Sequence, residues 1–265
     1  MRNYITSTQN TKIKHVVALQ QKSSERRKSG LFVVEGRREL MHCINAGYEC
    51  HELFLRENLR ESIFSEDSWL KSISELCVFS VSDDVYSKMA YREGTEGVVA
   101  VMKSKQRTLE QLQLSDNPLI IVLESVEKPG NLGAVLRTAD AAHADAVIVC
   151  DPLTDLYNPN LIRSSIGAVF TVPCVACSSA ECIDFLKSRN IQILTAQLQD
   201  SDYYYEADMR QPVAIVMGTE STGLTEIWRK AADSHIKIPM LGQLDSLNVS
   251  VSTAILAFEA VRQRQ

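Results

Sequence analysis

Apolar and polar residues alternate along the chain in blocks that predict strands and helices in regular succession. In the first hundred residues the predicted order is helix 10–28, strand 31–34, helix 37–46, strand 51–56, helix 66–76, strand 78–81, helix 83–90 and strand 97–102. Short apolar runs predict the strands, and apolar residues that recur every three or four positions predict the helices. Their alternation indicates a small α/β domain.

The pattern begins again near residue 118 and predicts a second, larger α/β part. The apolar run 119–123 is typical of a buried parallel strand. After it the pattern predicts helix 132–142, strand 146–150, helix 159–167, strand 169–175, helix 179–189, strand 191–196, strand 213–217, helix 224–232, strand 235–238 and a terminal helix 248–263. We expect a mostly parallel sheet of five or six strands with helices on both faces.

The polar stretch between the two parts predicts a linker. The sequence therefore predicts three segments, which are a first domain over 1–105, a linker over 106–117 and a second domain over 118–265. The chain has 265 residues, which suits one large domain or two ordinary ones.

Composition narrows the class of protein. Apolar residues make up 45% and charged residues 23%, which are globular values. No apolar run approaches the roughly 18–20 residues of a membrane span, and the polar start lacks the apolar stretch of a signal peptide. We expect a cytoplasmic protein without a membrane partner.

Charge is distributed unevenly along the chain. Residues 1–40 contain nine Lys or Arg against three Glu, although the whole chain has a net charge of −5. A basic segment on an acidic body suits contact with RNA phosphates, although a solvated helix face would also explain it. The candidate RNA-binding residues are Lys12, Lys14, Arg26, Arg27, Lys28 and Arg37.

The seven cysteines predict reduced thiols, since their number is odd and they lie in apolar contexts. Cys174 and Cys177 form a CxxC pair, but no second pair or paired histidines complete a zinc set. We interpret the pair as part of a buried strand and predict no metal site.

Three short segments of the second part combine glycine or small residues with polar groups, as loops at the end of a parallel sheet do. They are NLGAVLRTA from Asn131, GTESTGL from Gly218, and IPM from Ile238 followed by SLNVS from Ser246. The first predicted strand is not followed by the GxGxxG of dinucleotide-binding folds, and the chain has no Walker A lysine motif. Ordinary dinucleotide and nucleoside-triphosphate sites are therefore disfavoured.

Several polar residues in these segments could do chemistry. Arg137 offers a two-pronged donor suited to phosphate, and Glu220 lies between two glycines that allow close backbone approach to a ligand. Asn131 at a helix start is as typical of a helix cap as of a catalytic group, and Ser246 with Asn248 also suits a capped helix.

Taken together, the three motifs resemble the SpoU (TrmH-type) branch of the SPOUT RNA methyltransferases over residue 118 to the end. The first hundred residues more loosely resemble the RNA-binding extension of many members, similar in fold to certain ribosomal proteins. The resemblance implies a fold with a trefoil knot, which connection rules alone would disfavour. It also implies transfer of a methyl group from S-adenosylmethionine to a ribose 2′-hydroxyl of structured RNA.

The resemblance assigns roles to particular residues. It implies that Arg137, Asn131, Glu220, Ser246 and Asn248 form the catalytic set, and that Thr195, Gly218, Ile238, Met240 and Leu247 bind the cofactor. Arginine has been suggested as the base in this family, but it stays protonated in proteins. Our hypothesis is that Arg137 orients the ribose and phosphate and stabilises developing alkoxide.

Ribosomal RNA is the favoured substrate and transfer RNA the second, because the extension offers a further recognition surface. The resemblance also implies a homodimer formed through the second domain. Two other interpretations remain at this stage. One is a non-catalytic RNA-binding or ribosome-assembly factor on the same scaffold, and the other is an enzyme that acts on a small molecule.

Overall fold

The strands and helices follow one another closely along the chain. The structure, a computed structural model, describes residues 3–90, 96–219 and 221–265, apart from the side chain of Lys71. Up to residue 106 the elements are β1 (Asn3–Ile5), α1 (Thr11–Gln21), α2 (Ser23–Ser29), β2 (Leu31–Glu35), α3 (Arg37–Asn45), β3 (Cys50–Arg56), α4 (Arg60–Glu66), β4 (Val78–Val81), α5 (Asp83–Met89) and β5 (Val98–Lys103). Beyond it they are β6 (Leu119–Glu124), α6 (Pro129–Ala141), β7 (Ala146–Cys150), α7 (Pro159–Ser164), α8 (Ala168–Thr171), β8 (Cys174–Cys177), α9 (Ser179–Ser188), β9 (Gln192–Ala196), β10 (Asp202–Tyr203), β11 (Val213–Met217), α10 (Glu226–Ala231), β12 (Ser234–Lys237) and α11 (Val249–Gln263).

The chain divides into two compact units. The first comprises residues up to Gln106 together with Tyr157–Gly167, and the second comprises Arg107–Leu156 with Ala168–Gln265. Helix α7 therefore belongs to the first unit, whereas the sequence placed residues 159–167 in the second domain. Its packing explains the difference, because the ring of Tyr157 stacks on Phe32 of β2 with centroids 4.3 Å apart.

The first unit is built on a mixed sheet with the order β1-β4-β3-β5-β2. Strands β1, β4 and β3 pair in parallel, while β5 runs antiparallel to both β3 and β2. Helix α1 buries Ile13, Val16 and Leu19 in a core shared with Phe54 and Val101 of the sheet. The sheet and its helices form the small α/β unit that the pattern predicted.

One long helix was predicted over 10–28, but the structure has two. The chain leaves the helical conformation at Lys22, with φ −120° and ψ 113°, before α2 begins. Arg26 on α2 is buried, and its Nη1 donates to the carbonyl oxygens of Leu19 at 2.6 Å and Gln20 at 3.2 Å. These carbonyls lie in the last turn of α1, where no intrahelical donor is left for them. The guanidinium thus stabilises the break.

The second unit is built on seven strands in the order β10-β12-β9-β11-β6-β7-β8. Every neighbouring pair is parallel. Side chains of successive residues point to opposite faces of a strand, and one face packs against α9 and α10 while the other packs against α6 and α11. Strand β11, which is wholly apolar, and strand β6, which is apolar up to its last residue Glu124, are accordingly buried along their whole length.

The predicted mostly parallel α/β class is confirmed, and the trefoil knot stays a prediction. Besides the helix over 10–28, two further predicted elements were wrong. The apolar run predicted as strand 169–175 forms helix α8 followed by the short strand β8, because a short buried apolar run does not by itself distinguish helix from strand. Helix 66–76 is replaced by α4 and two 3-10 turns, since Asp67 leaves the helical conformation at φ −101° and ψ 87°.

The role of Arg26 gives a test of this fold. We expect Arg26→Ala to destabilise the first unit by about 1–3 kcal/mol, because it leaves buried carbonyls without a donor. The exposed neighbour provides the control, and Arg27→Ala should change the free energy of unfolding by less than about 0.5 kcal/mol. Urea unfolding measures the loss, and hydrogen–deuterium exchange over residues 11–29 locates it. Equal stability of both variants would contradict the capping role.

Candidate functional site

A cavity of about 330 Å³ opens beyond the carboxyl ends of β9, β11 and β12. This is the edge of a parallel sheet at which α/β proteins bind their ligands. Its walls come from the residues that follow β9, the loop after β11, the loop between β12 and α11, and α11 itself. Met217, Ile236 and Leu256 contribute apolar surface, so the cavity offers an apolar slot among loop backbones.

The loop after β11 is folded tightly on itself. The amide of Gly223 donates to the carbonyl of Thr219 at 3.0 Å, and Gly223 takes a left-handed φ of +67°. A Cβ added to Gly218 would lie 2.5 Å from the backbone nitrogen of Leu224, a distance that real Cβ atoms do not adopt. Glycine at position 218 therefore allows two stretches of backbone to meet at the mouth of the cavity.

Four of the five predicted cofactor-binding residues line this cavity, namely Gly218, Ile238, Met240 and Leu247. The fifth does not. Thr195 lies inside β9 with no exposed surface, and its Oγ1 is 2.6 Å from Nδ1 of His235 on the neighbouring strand β12. Thr195 thus ties two strands together beneath the cavity, and the residues that follow it, Ala196 and Gln197, form the wall.

A second, smaller cavity of about 200 Å³ adjoins the first. It is lined by residues that follow β6, by Asn131 of α6, and by Thr219, Ser221 and Val249. The last three also line the larger cavity. The two spaces therefore share a wall made of the loop after β11 and the start of α11.

Of the predicted catalytic residues, Asn131 lines this smaller cavity, and Asn248 contacts Asn131. The Nδ2 of Asn248 donates to Oδ1 of Asn131 at 3.1 Å, which joins two predicted residues that are 117 positions apart. Asn248 is also the cap of α11, because its Oδ1 accepts from the amide of Ser250 at 3.0 Å. Asn248 therefore caps α11 and links two of the motifs, and its catalytic role stays a prediction.

The other three predicted catalytic residues are placed as follows. Ser246 lines the larger cavity, and its Oγ donates to Oδ1 of Asp245 at 3.3 Å. Arg137 is exposed on α6, two turns beyond Asn131. Glu220 lies outside the described residues, but Thr219 and Ser221 on either side of it line both cavities.

A buried carboxylate that the sequence did not single out supports the cavity. Glu124 ends β6 and is 2% exposed. It accepts from the amide of Thr225 at 2.8 Å and from Oγ1 of the same residue at 2.5 Å. Thr225 begins α10, so the carboxylate satisfies the first donors of that helix and favours its positive end. On α10, Trp228 donates its Nε1 to Oγ of Ser179 at 2.9 Å.

Two buried polar atoms of the cavity wall have no hydrogen-bond partner among the described residues. They are Oε1 of Gln197, after β9, and Nε of Arg229, on α10. Sequence reasoning missed both. Gln197 follows a parallel strand directly, which is a usable signal, whereas nothing in the polar pattern around Arg229 distinguishes it from a surface residue.

The candidate RNA-binding residues of the first unit fall into two groups. Lys12 is paired with Glu52, and Arg37 donates to Asp67 at 2.7 Å and to Glu66 at 2.8 Å. These hydrogen bonds hold the pKa of Arg37 above its ordinary value, and the bond to Asp67 has the larger effect.

The other four candidates differ in their exposure to solvent. Lys14, Arg27 and Lys28 are exposed. The prediction for Arg26 is corrected, because burial against α1 removes that guanidinium from any RNA surface.

The cysteines of the CxxC pair do not meet. Cys174 is buried, and burial raises the pKa of its thiol to about 12. The sulfur of Cys177 instead lies with those of Cys150 and Cys182, all within 4.8 Å of one another. Hydrogen bonds from the other two thiols lower the pKa of Cys177. Cys150 and Cys182 belong to the apolar core of the second unit, where small side chains are needed.

Comparison with known proteins assigns the second unit to a family. A family model described as the SpoU rRNA Methylase family matches residues 118–258, which is more than half of the chain. The chain belongs to the SpoU rRNA methylase family. The resemblance drawn from the three motifs is thereby confirmed, and with it the prediction of a methyltransferase. A second model, an MRM3-like substrate binding domain, matches residues 10–100.

Individual relatives agree with this assignment. The 23S rRNA (guanosine-2′-O-)-methyltransferase RlmB of Pseudomonas putida is 39% identical over 66% of this chain and 74% of its own length. The 23S rRNA (guanosine(2553)-2′-O)-methyltransferase RlmP of Bacillus subtilis is 28% identical over 96% of this chain and 97% of its own.

A solved structure agrees as well. The AdoMet-bound rRNA methyltransferase from Sinorhizobium meliloti superposes with a TM-score of 0.89 at 26% identity, covering 99% of this chain and 98% of the other. Within the described ranges of our structure, no helix has the length and apolar character to span a bilayer.

The close approach at Gly218 gives a test of the cavity. We expect Gly218→Ala to weaken binding of S-adenosylhomocysteine about tenfold or more, because the methyl group pushes the loop backbone apart at a cost of roughly 1–3 kcal/mol. Isothermal titration calorimetry measures the dissociation constant. Gly130→Ala is the matched control, since a Cβ there meets nothing within 4 Å. Unchanged binding by the Gly218 variant would show that the ligand does not use this loop.

Proposed function

We propose that this protein is an S-adenosylmethionine-dependent methyltransferase that modifies a ribose 2′-hydroxyl of ribosomal RNA. The observation that carries the proposal is the pair of adjoining cavities. One is an apolar slot among backbone groups, and the other is bordered by Asn131, and the two share the wall of Thr219, Ser221 and Val249. A methyl donor in one cavity and an RNA ribose in the other can come into contact where the two spaces adjoin, beside these residues. Membership of the SpoU family supports this function, as do relatives named as 23S rRNA 2′-O-methyltransferases.

The residues present suit S-adenosylmethionine. The apolar side chains of Met217, Ile236 and Leu256 can enclose an adenine ring, while backbone amides and carbonyls beside Gly218 and Leu247 can bind its polar edge. Bound there, the cofactor supplies an electrophilic methyl group. Gln197 and Arg229 also line the cavity, and each has a buried polar atom without a partner among the described residues, so they add an acceptor and a donor for its polar groups.

The chain's own groups position the ribose for attack. Arg137 is exposed on α6 and offers a planar fork of donors, which suits a phosphate and a developing alkoxide. Because a guanidinium stays protonated, Arg137 orients the ribose rather than removing its proton. The proton leaves late, to phosphate or water. Asn131, held by Asn248, fixes the RNA-facing end of α6.

The first unit supplies the affinity for RNA. Lys14, Arg27 and Lys28 are exposed on α1 and α2 and can neutralise phosphates. This agrees with the match of residues 10–100 to a substrate-binding domain. Ribosomal RNA as substrate would place the protein in the cytoplasm.

The protein is proposed to act as a homodimer through the second domain. Val251 and Phe258 on α11 are each 47% exposed and lie seven positions apart, which places them on one side of the helix. An exposed apolar strip of this kind suits a partner surface. The start of the same helix borders both cavities, so a second copy could complete the site.

The function is tested by mapping 2′-O-methyl groups in total RNA at nucleotide resolution, in cells with and without this gene. We expect one or more ribosomal sites to disappear without the gene and to return with the wild-type protein. Arg137→Ala should methylate the site at least about 10²-fold more slowly than the wild type, because it removes a donor that stabilises developing charge. Arg137→Lys should also fail, because lysine lacks the two-pronged geometry.

Other outcomes would redirect the proposal. A lost site in transfer RNA would change the substrate. No lost site, together with no binding of S-adenosylhomocysteine in vitro, would favour a non-catalytic RNA-binding factor. Near-full activity of Arg137→Lys would contradict the bidentate role.

The link between Asn248 and Asn131 is tested separately by Asn248→Ser. Serine remains a good cap for α11, so stability should change by only a few tenths of a kcal/mol. It is too short to replace the bond to Asn131, and methyl transfer should fall about three- to tenfold. Binding of S-adenosylhomocysteine should be retained. If Asn131→Ala and Asn248→Ser reduced the rate additively in the double variant, the two residues would act independently.

A further inference from the structure

Arg229 is an unusual residue for the wall of a cavity. It lies on the short helix α10 beside Trp228, which is fully buried, and its own side chain is half-buried. The Nε atom is buried without a hydrogen-bond partner among the described residues. A charged donor in this position is costly unless something pairs with it.

Gln197 lines the same cavity and has a buried acceptor where Arg229 has a buried donor. Its amide nitrogen Nε2 donates to the carbonyl of Gln199 at 2.9 Å, and its backbone amide donates to the carbonyl of Ile236 at 3.0 Å. These two bonds fix the side chain so that Oε1 is the atom left over. That oxygen is buried and has no partner in the described part of the chain.

Both residues line the same cavity, and each has a group without a partner among the described residues, a cationic donor on Arg229 and a neutral acceptor on Gln197. An α-amino acid group presents the matching pair, a carboxylate and an ammonium. A guanidinium is the side chain best suited to a carboxylate. An adenine or a ribose carries no full charge, so neither would use the cation of Arg229 as well.

We propose that Arg229 binds the carboxylate, and Gln197 the ammonium group, of the methionine end of S-adenosylmethionine. The inference rests on the proposed function, since it assigns the second half of that cofactor. Backbone groups beside Gly218, Ile238 and Leu247 hold the adenine, and these two side chains hold the other end. The cavity thereby distinguishes the intact cofactor from adenosine derivatives that lack the amino acid.

Lys237 is the competing cation, because it also lines the cavity. Its Nζ lies over the ring of Tyr203, 5.4 Å from the centroid, which occupies the ammonium in a cation–π contact. Arg229 has a buried donor without a partner among the described residues, and the assignment favours it for that reason.

The experiment compares three ligands by isothermal titration calorimetry on the full chain. They are S-adenosylhomocysteine, its decarboxylated analogue, and 5′-methylthioadenosine, which lacks the whole amino acid end. We expect Arg229→Ala to weaken binding of S-adenosylhomocysteine about 10- to 100-fold, as for a lost charge-assisted pair. It should bind the other two within about twofold of the wild type.

Two variants serve as matched controls. Lys230→Ala alters the next residue, whose exposed ammonium lies 3.7 Å from Glu226 on α10, and should bind all three ligands like the wild type. Gln197→Leu should weaken S-adenosylhomocysteine and its decarboxylated analogue alike, because both keep the ammonium, and should leave 5′-methylthioadenosine unaffected.

The outcomes separate this inference from the proposed function. If the wild type binds none of the three ligands, the proposed cofactor is wrong. If the wild type binds them and Arg229→Ala weakens all three equally, Arg229 only supports the cavity wall and the inference is overturned. A carboxylate-dependent loss in Lys237→Ala instead of Arg229→Ala would overturn it as well.

Discussion

The second unit depends on one buried carboxylate, that of Glu124. A carboxylate removed from water must be paired, and this one receives the amide and hydroxyl of Thr225 at the start of α10. It therefore joins the end of the central strand β6 to a helix that begins 102 residues after that strand ends. Helix α10 carries both Trp228, which fills the core, and Arg229, which reaches the cavity. Without this anchor the start of α10 would lose its hydrogen bonds to the end of β6, and packing of apolar residues such as Trp228 would have to hold that part of the wall.

The parallel sheet explains why two cavities can share a wall. The carboxyl ends of β6 and β11 are neighbours, and the loop that follows each strand enters the same space. Gly218 lets two stretches of backbone in the loop after β11 lie close together, and residues of this loop line both cavities. Asn248 then fastens the start of α11 to α6 across this space. Positioning in the site is thus a property of strand ends and helix starts, which are rigid parts of the fold.

Sequence patterns revealed much of this arrangement, for identifiable reasons. The runs of β6 and β11 are short and rich in Ile and Val, which is typical of interior strands. The glycines of the loop after β11 indicate a close approach of backbone. Arg26 was assigned to the wrong role and Arg229 was overlooked, because only tertiary packing decides whether an arginine side chain is buried. The run containing α8 was misjudged since burial on all sides removes the periodicity that separates helix from strand.

The distribution of the cavity along the chain has a consequence for biosynthesis. Its walls come from residues between Ala196 and Leu256, the last quarter of the polypeptide, whereas most of the first unit is contained in residues up to Gln106. Domains generally fold as units from the amino end while translation proceeds. The exposed basic residues of α1 and α2 can thus be in place while the ribosome is still adding the strands that line the larger cavity. If the proposed function holds, the surface for RNA forms before the pocket for the methyl donor.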